Sequence, residues 1–238
     1  MIPLKDNIRS NSFPIVNWML IAANILVFLY EVSLRPAALD RFTTVFGAVP
    51  RNLHLLHPAS LLANPLPLIT LVTAMFLHGG WFHVLSNMWV LFIFGDNVED
   101  RMGSGRYFVF YMISGIVANL IQSLAFPTSS IPAIGASGAI AGVLGAYFLF
   151  YPRARVFTLI PIFIIPWFVY VPAVLFLGFW FVSQLYSGIF SLGVNTGGVA
   201  WWAHVGGFAF GLVFARLFAR QVLSYSNRFP PDSPTYYG

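Results

Sequence analysis

Two long stretches of this chain carry no charged residue, and they limit its possible folds more than any other feature. No Asp, Glu, Lys or Arg occurs between Arg106 and Arg153, or between Arg155 and Arg216. Only 8% of all residues are charged and 58% are hydrophobic, whereas a soluble domain has about 25% charged residues. Because so few charges cannot cover a soluble globule, the sequence predicts an all-α polytopic membrane protein and excludes a soluble enzyme.

Net charge and cysteine content exclude further classes. The net charge is +5, but no run of basic residues is present, which argues against a nucleic-acid partner. The chain has no cysteine, so disulfides, thiolate catalysis and cysteine-based metal sites are excluded. The partner that the composition does imply is the lipid bilayer.

Both uncharged stretches are too long for single helices, because about 20 apolar residues suffice to cross a bilayer. Prolines and glycine-rich segments divide each stretch in two, and the rest of the chain supplies two further apolar segments. Residues 68–77 are expected to extend the outer end of the second span. The sequence thus predicts a six-transmembrane-helix bundle with spans at 14–30, 81–94, 107–126, 135–151, 173–189 and 199–218.

The segments outside these spans are short, with one exception. Residues 32–67 contain several prolines and apolar runs too short to cross, which predicts a long, partly interfacial first loop. Residues 1–220 are expected to form a single six-span domain. Residues 221–238 are polar and are expected to form a short, disordered cytoplasmic tail.

The distribution of basic residues predicts the orientation, since cytoplasmic loops are enriched in Lys and Arg. Nine of the twelve basic residues lie in the N-terminal segment, the second and fourth loops and the C-terminal end. We therefore expect both termini in the cytoplasm, with the N-terminal segment a cytoplasmic tail and not a cleaved signal peptide. The second, fourth and sixth spans then run from the outer to the inner face.

Polar residues within the spans are few, and they share one depth. His83, Asn87, Ser137 and His204 all lie near the start of an even-numbered span, hence near the outer face. Polar groups inside a membrane are costly and often functional. A lone serine, however, more often bonds to its own helix backbone, and an isolated buried histidine is often structural.

Small residues beside Ser137 and His204 favour close packing of the two helices that carry them. Gly138 begins a G-x-x-x-G pattern, and Gly207 and Gly211 share a helix face with His204, so the two helices are able to pack closely. Serine needs a base to become nucleophilic. Because no Asp or Glu occurs from residue 102 to 231, the only serine mechanism these spans can supply is a Ser137–His204 dyad.

His83 and Asn87 are four residues apart and therefore share a helix face. Together with the Ser137 backbone amide they would form an oxyanion hole; a polar contact between helices fits the spacing equally well. A zinc site involving His78, His83 and His204 lacks the glutamate that would activate water, so we predict neither a metal nor a cofactor.

Three segments resemble the rhomboid intramembrane serine proteases: residues 78–88 (HGGWFHVLSNM), residues 135–138 (GASG) and residues 203–207 (AHVGG), the last followed by Gly211. The resemblance covers most of the chain. It implies a six-helix core with a water-filled cavity that opens to the outer face. Ser137 is implied as nucleophile, His204 as base, and His83, Asn87 and the Ser137 amide as the oxyanion hole. Supporting roles fall to His78, Gly135, Gly138, Gly207 and Gly211.

The resemblance also implies a biological setting. The substrates would be single-pass membrane proteins, cleaved in or near their transmembrane segment by a serine endopeptidase. We expect the chain in a prokaryotic plasma membrane with its active site near the outer face. The fifth span and the loop at residues 191–198 would form a mobile gate and cap. Oligomeric state stays open.

The sequence departs from the family pattern in two places. Ile69 and Thr70 replace a Trp-Arg pair in the first loop, which bears on loop stability. Ala141 replaces an aromatic residue that stacks on the histidine, so another group must hold His204. The candidates are Trp201, Trp202 and Tyr147.

Two other functions were compared with proteolysis. A non-catalytic rhomboid-like protein would bind membrane segments without cleaving them, but the intact pair of Ser137 and His204 favours the enzyme. A transporter or channel would need polar groups distributed across the bilayer, whereas here they lie at one depth.

Overall fold

The computed structural model describes residues 1–53, 65–163, 165–192 and 198–220. The predictions for the loop at 191–198 and for the tail at 221–238 fall largely or wholly outside these residues. The α-helices of the structure are α1 (Ile15–Ser33), α2 (Pro36–Phe46), α3 (Leu66–Thr73), α4 (Trp81–Met102), α5 (Ser104–Ala125), α6 (Ser137–Phe150), α7 (Ala173–Ser191) and α8 (Trp201–Phe218). Short 3₁₀ helices occupy Pro50–Asn52 and Ala74–Phe76.

The predicted membrane helices are all present, which confirms a mostly helical membrane protein. Helices α1, α5, α7 and α8 are long and apolar enough to cross a bilayer. Helix α4 qualifies only together with the helical segment before it, and α6 has 14 residues. At 1.5 Å per residue, α6 is about 21 Å long, which is shorter than the hydrocarbon core. That the chain crosses the membrane six times therefore stays a prediction.

Residues 68–77 do not extend the second span as a continuous helix, and that they belong to the same crossing stays a prediction. The segment Leu66–Phe76 meets α4 at an angle of 81°, with the break at residues 77–80. Gly80 has a φ of 156°, which L-residues with side chains rarely adopt. The bend turns α3 back against α5, where the Asn119 side chain donates to Leu71 O at 2.8 Å.

Helices α6 and α8 pack almost backbone to backbone at the centre of the bundle. A Cβ atom at Gly207 would overlap the carbonyl of Gly138, and one at Gly211 would overlap that of Gly142. From the opposite side, Gly145 faces the carbonyl of Phe208 in the same way. These contacts agree with the predicted stripe of Gly207 and Gly211 on α8 and bring the start of α6 to the start of α8. Cβ atoms at Gly138 and Gly142 would instead first meet Ala118 and Ser114 of α5.

A three-stranded antiparallel sheet lies at one end of the bundle, and the sequence analysis did not predict it. Its order is β1 (Ile2–Asp6), β2 (Arg155–Ile162), β3 (Ile165–Pro172). The prolines that exclude a helix here are compatible with strands, since Pro161 and Pro166 pair with each other beyond the reach of β1.

The same end of the bundle collects the other segments rich in basic residues. The side chain of Ser12 donates to Asp100 at 2.6 Å, and Arg220 N donates to Arg101 O at 3.0 Å. These contacts join the N-terminal segment, the second loop and the end of α8 on the side where the sheet holds the fourth loop. The structure thus places on one side the same segments that the sequence analysis grouped by their basic residues. That this side faces the cytoplasm stays a prediction.

The close contact of α6 and α8 predicts a specific loss of stability. Gly211→Ala forces a methyl group against the Gly142 carbonyl, so the free energy of unfolding should fall by about 1–3 kcal/mol. Gly178→Ala on α7 is the matched control, because the nearest atom would be 3.9 Å away. Unfolding of the purified variants in detergent measures both. Equal stability of the two variants would contradict this packing.

Candidate active site

Ser137 and His204 face each other across the α6–α8 contact. Ser137 is the first residue of α6, and its Oγ lies 2.8 Å from Nε2 of His204 near the start of α8. The imidazole is buried, with 8% of the residue exposed. The serine hydroxyl is therefore directed at a histidine and not at its own helix backbone, as a structural serine would be.

A residue that the sequence analysis did not single out holds the other side of the imidazole. Gln184 of α7 places Oε1 2.7 Å from His204 Nδ1. The ring of Trp180, one turn earlier on α7, lies over the imidazole with centroids 5.8 Å apart and planes tilted by 32°. Gln184 is an amide side chain in a mostly apolar span, and that was the signal that could have identified it.

Of the three candidates proposed to hold His204, only one contacts it. The Trp201 ring meets the imidazole edge to face at 6.2 Å. Trp202 donates its indole N–H to Gly188 O, and the Tyr147 hydroxyl bonds to Asp6 at the end of the bundle that carries the sheet. Besides the Trp201 ring, the side-chain amide of Gln184 bonds to His204, which none of the three candidates anticipated.

His78 and Asn87 form a hydrogen-bonded pair beside the site. His78 Nδ1 contacts Phe76 O at 3.3 Å, and because a carbonyl only accepts, Nδ1 carries the proton. Nε2 then accepts from Asn87 Nδ2 at 3.1 Å. One of the two Asn87 amide hydrogens is used in this contact, and the second remains for another acceptor.

His83 is turned toward the segment that precedes Ser137. Its Nδ1 accepts from Gly79 N–H at 3.3 Å, so the neutral ring carries its proton on Nε2. That nitrogen would be 2.7 Å from a Cβ built at Gly135, and Asn87 Nδ2 would be 3.8 Å from the same point. The structure thus brings both predicted donors to one place, two residues before Ser137.

Gly135 and a buried carboxylate fix the backbone around these donors. Gly135 has a φ of 123° and donates its N–H to Ala74 O at 2.8 Å. On the other side, Glu31 of α1 accepts the backbone N–H of His78 at 3.1 Å. Glu31 directly follows the predicted first span at 14–30 and was assigned no role there, whereas its side chain is buried and holds the bend before α4.

Of the three residues that depart from the family pattern, only Ala141 lies in the packed interior of the bundle. Ile69 is half exposed on α3, and the Thr70 hydroxyl donates to Pro67 O of its own helix. Ala141 is fully buried, and a Cβ at Gly207 would lie 3.3 Å from its methyl group. An aromatic side chain at residue 141 would thus meet the α6–α8 interface.

A metal site was considered for the three histidines near Ser137. The rings of His78 and His83 are 5.0 Å apart, but each already uses a nitrogen in the hydrogen bonds above. Within the described ranges, no group of three or more His, Asp or Glu residues is arranged to hold a metal ion.

Comparison with known proteins adds a family relationship. Residues 66–221 match the family model of the Rhomboid domain. The chain is 33% identical over 121 residues to Rhomboid-like protein 11, chloroplastic, of Arabidopsis thaliana, which covers 51% of this chain and 40% of that protein. It is 28% identical over 161 residues to Rhomboid protein 1, mitochondrial, of Saccharomyces cerevisiae, covering 65% and 43%.

A human relative shows a similar partial match. The chain is 32% identical over 141 residues to Presenilin-associated rhomboid-like protein, mitochondrial, of Homo sapiens, covering 57% of this chain and 33% of that protein. The chain thus spans less than half the length of each of these relatives. The segment that matches the family model, residues 66–221, includes His78, His83, Asn87, Ser137 and His204.

The backbone at Gly135 leads to a prediction for the site. Gly135→Ala introduces a methyl group at a positive φ and against His83 Nε2, so the free energy of unfolding should fall by about 1–3 kcal/mol. Gly79→Ala is the matched control in the same site, since its nearest neighbours would be 3.9 Å away. Thermal unfolding in detergent tests this pair, and a stable Gly135→Ala variant would contradict it.

Proposed function

Because this chain belongs to the rhomboid family, we propose that it is an intramembrane serine endopeptidase with Ser137 as nucleophile and His204 as base. The substrates would be single-pass membrane proteins, cleaved in or near their membrane segment. Residues 1–220 would form the catalytic unit. The alternative is a family member that binds membrane segments without cleaving them.

The contact of 2.8 Å between Ser137 Oγ and His204 Nε2 carries the proposal. A base at hydrogen-bond distance is the requirement for an active serine. Nε2 would take the hydroxyl proton as Oγ attacks the scissile carbonyl, and would then donate it to the leaving amine. A water molecule would then attack the acyl-enzyme, giving its proton to Nε2. Nε2 would return a proton to Ser137 Oγ as the second product leaves.

The negative charge on the attacked carbonyl needs hydrogen-bond donors fixed in advance. The backbone N–H of Ser137 has no acceptor within α6, because it belongs to the first turn. His83 Nε2–H and the second hydrogen of Asn87 Nδ2 face the same region around Gly135. These three groups would form the oxyanion hole.

The depth of the dyad supports a location near the outer face. Ser137 and His204 lie at the starts of α6 and α8, whereas the segments rich in Lys and Arg meet at the opposite ends of these helices. Under the positive-inside rule the basic end is cytoplasmic. The chain would then act from a prokaryotic plasma membrane on the outer part of its substrates.

Removal of either member of the dyad tests the proposal. Ser137→Ala and His204→Ala should each lower the rate of cleavage of a model single-pass substrate in proteoliposomes by about 10⁴-fold or more. Ser123→Ala is the matched control, because that buried hydroxyl only donates to Asn119 O of its own helix. If Ser137→Ala cleaves like the parent protein, the nucleophile is another residue. If the parent protein folds but cleaves nothing, the binding alternative holds.

The oxyanion donors give a second test. His83→Ala and Asn87→Ala should each lower kcat by about 10²–10³-fold, since they would stabilise charge that develops only in the transition state. Asn119→Ala serves as control, because its amide binds a backbone carbonyl of α3 away from the site. Unchanged kcat in both site variants would leave His83 and Asn87 as packing residues.

A further inference from the structure

The side-chain amide of Gln184 bonds to the histidine that the proposed mechanism uses as its base. We propose that Gln184 is a positioning residue that fixes which imidazole nitrogen of His204 carries the proton. The consequence for catalysis rests on the proposed function. The position of the proton does not, because it follows from hydrogen bonds alone.

The hydrogen bonds along α7 determine how the Gln184 amide is turned. Ser183 Oγ lies 2.6 Å from Trp180 O, and since a carbonyl has no hydrogen, the single hydroxyl hydrogen of Ser183 is used there. Ser183 Oγ can then only accept in its 3.0 Å contact with Gln184, which requires Nε2 of the amide on that side. Oε1 therefore faces His204 Nδ1 at 2.7 Å.

The orientation of the amide in turn determines the tautomer of His204. An amide oxygen only accepts, so Nδ1 of the neutral imidazole carries the hydrogen and Nε2 keeps its lone pair. That lone pair lies on the side of Ser137 Oγ, 2.8 Å away. The opposite tautomer would direct an N–H at the hydroxyl and could not remove its proton. Each donor therefore points the same way, from the Ser137 hydroxyl to His204 Nε2 and from His204 Nδ1–H to Gln184 Oε1, without a carboxylate.

A neutral amide suits this position better than an acid would. A carboxylate buried in a membrane span costs much desolvation, whereas an amide orients the ring at a far lower cost. Gln184 is itself buried, with 7% of the residue exposed, and Trp180 covers the imidazole from the same face of α7. Helix α7 is the least buried of the four long apolar helices. The tautomer of His204 therefore depends on one hydrogen bond to a helix at the periphery of the bundle.

A second glutamine in the bundle provides the comparison for a merely structural role. Gln122 of α5 accepts the backbone N–H of Ala203 at 3.2 Å, so it ties another helix to α8 one residue before His204. It bonds to the backbone and not to the imidazole. Gln122→Met therefore removes an interhelical hydrogen bond of similar placement without removing a partner of His204.

Solid-state NMR of ¹⁵N-histidine-labelled protein in liposomes measures the tautomer directly, with the signals of His204 assigned by their loss in His204→Ala. Above the pH at which the ring is protonated, the parent protein should show the hydrogen on Nδ1. Gln184→Met should yield the other tautomer or a mixture, whereas Gln184→Glu and Gln122→Met should keep Nδ1–H. Ser183→Ala frees the amide to turn and should give a mixture, so it keeps the test valid if Gln184→Met does not fold.

Kinetics on a model single-pass substrate provide the second readout. Gln184→Met should lower kcat by about 10–100-fold, with little change in KM, in the range typical of residues that orient a functional histidine. Gln184→Glu, which restores an acceptor, should recover most of the rate, and Gln122→Met should stay near the parent value. Met matches Gln in length and lack of branching. Gln184→Met and Gln122→Met therefore differ mainly in the hydrogen bond that each removes.

The outcomes separate the two proposals. Loss of the Nδ1–H tautomer in Gln184→Met, with or without measurable cleavage by the parent protein, supports the positioning role; absence of cleavage by the parent counts only against the protease. An unchanged tautomer in both Gln184→Met and Ser183→Ala overturns the positioning role. So does an equal loss of kcat in Gln184→Met and Gln122→Met with the tautomer retained, which would mean that Gln184 only joins helices.

Discussion

The approach of α6 to α8 through glycine is the constraint on which the rest of the structure depends. Gly207 and Gly211 of α8 leave room for the carbonyl groups of Gly138 and Gly142 of α6, which would overlap a Cβ at either position. In a bilayer, where burial of apolar surface gives little drive for helix association, such contacts supply packing. They also set the distance between the two helix starts, and hence the contact between Ser137 and His204.

Around this contact, polar groups that would be costly in a membrane bond to one another. Glu31 accepts from the backbone of His78, and His78 in turn accepts from Asn87. On the other side Gln184 bonds to His204, which bonds to Ser137. These hydrogen bonds fix the side chains of the site and leave the second amide hydrogen of Asn87 as a free donor, so the proposed site is organised in advance. Preorganised donors of this kind are the main source of transition-state stabilisation in acyl transfer.

The sequence was sufficient to predict several of the polar residues that are rare in a membrane span. Ser137, His204, His83 and Asn87 are polar groups in apolar spans, and their spacing placed them at one depth. Gln184 was not predicted, because the face that α7 turns to α8 follows from packing and not from sequence spacing. The sheet was not predicted either, since β2 and β3 are largely apolar and lack the alternation of a half-buried strand. The bend at Gly80 depends on a φ value, which a hydropathy pattern does not reveal.

The most direct measurement of the central claim is mass spectrometry of the protein in liposomes after treatment with a fluorophosphonate probe. We expect one adduct, on the peptide that contains Ser137, and no adduct when folded His204→Ala protein is treated in the same way. An adduct on a different serine, or one on Ser137 that forms at the same rate without His204, would contradict a serine activated by that histidine.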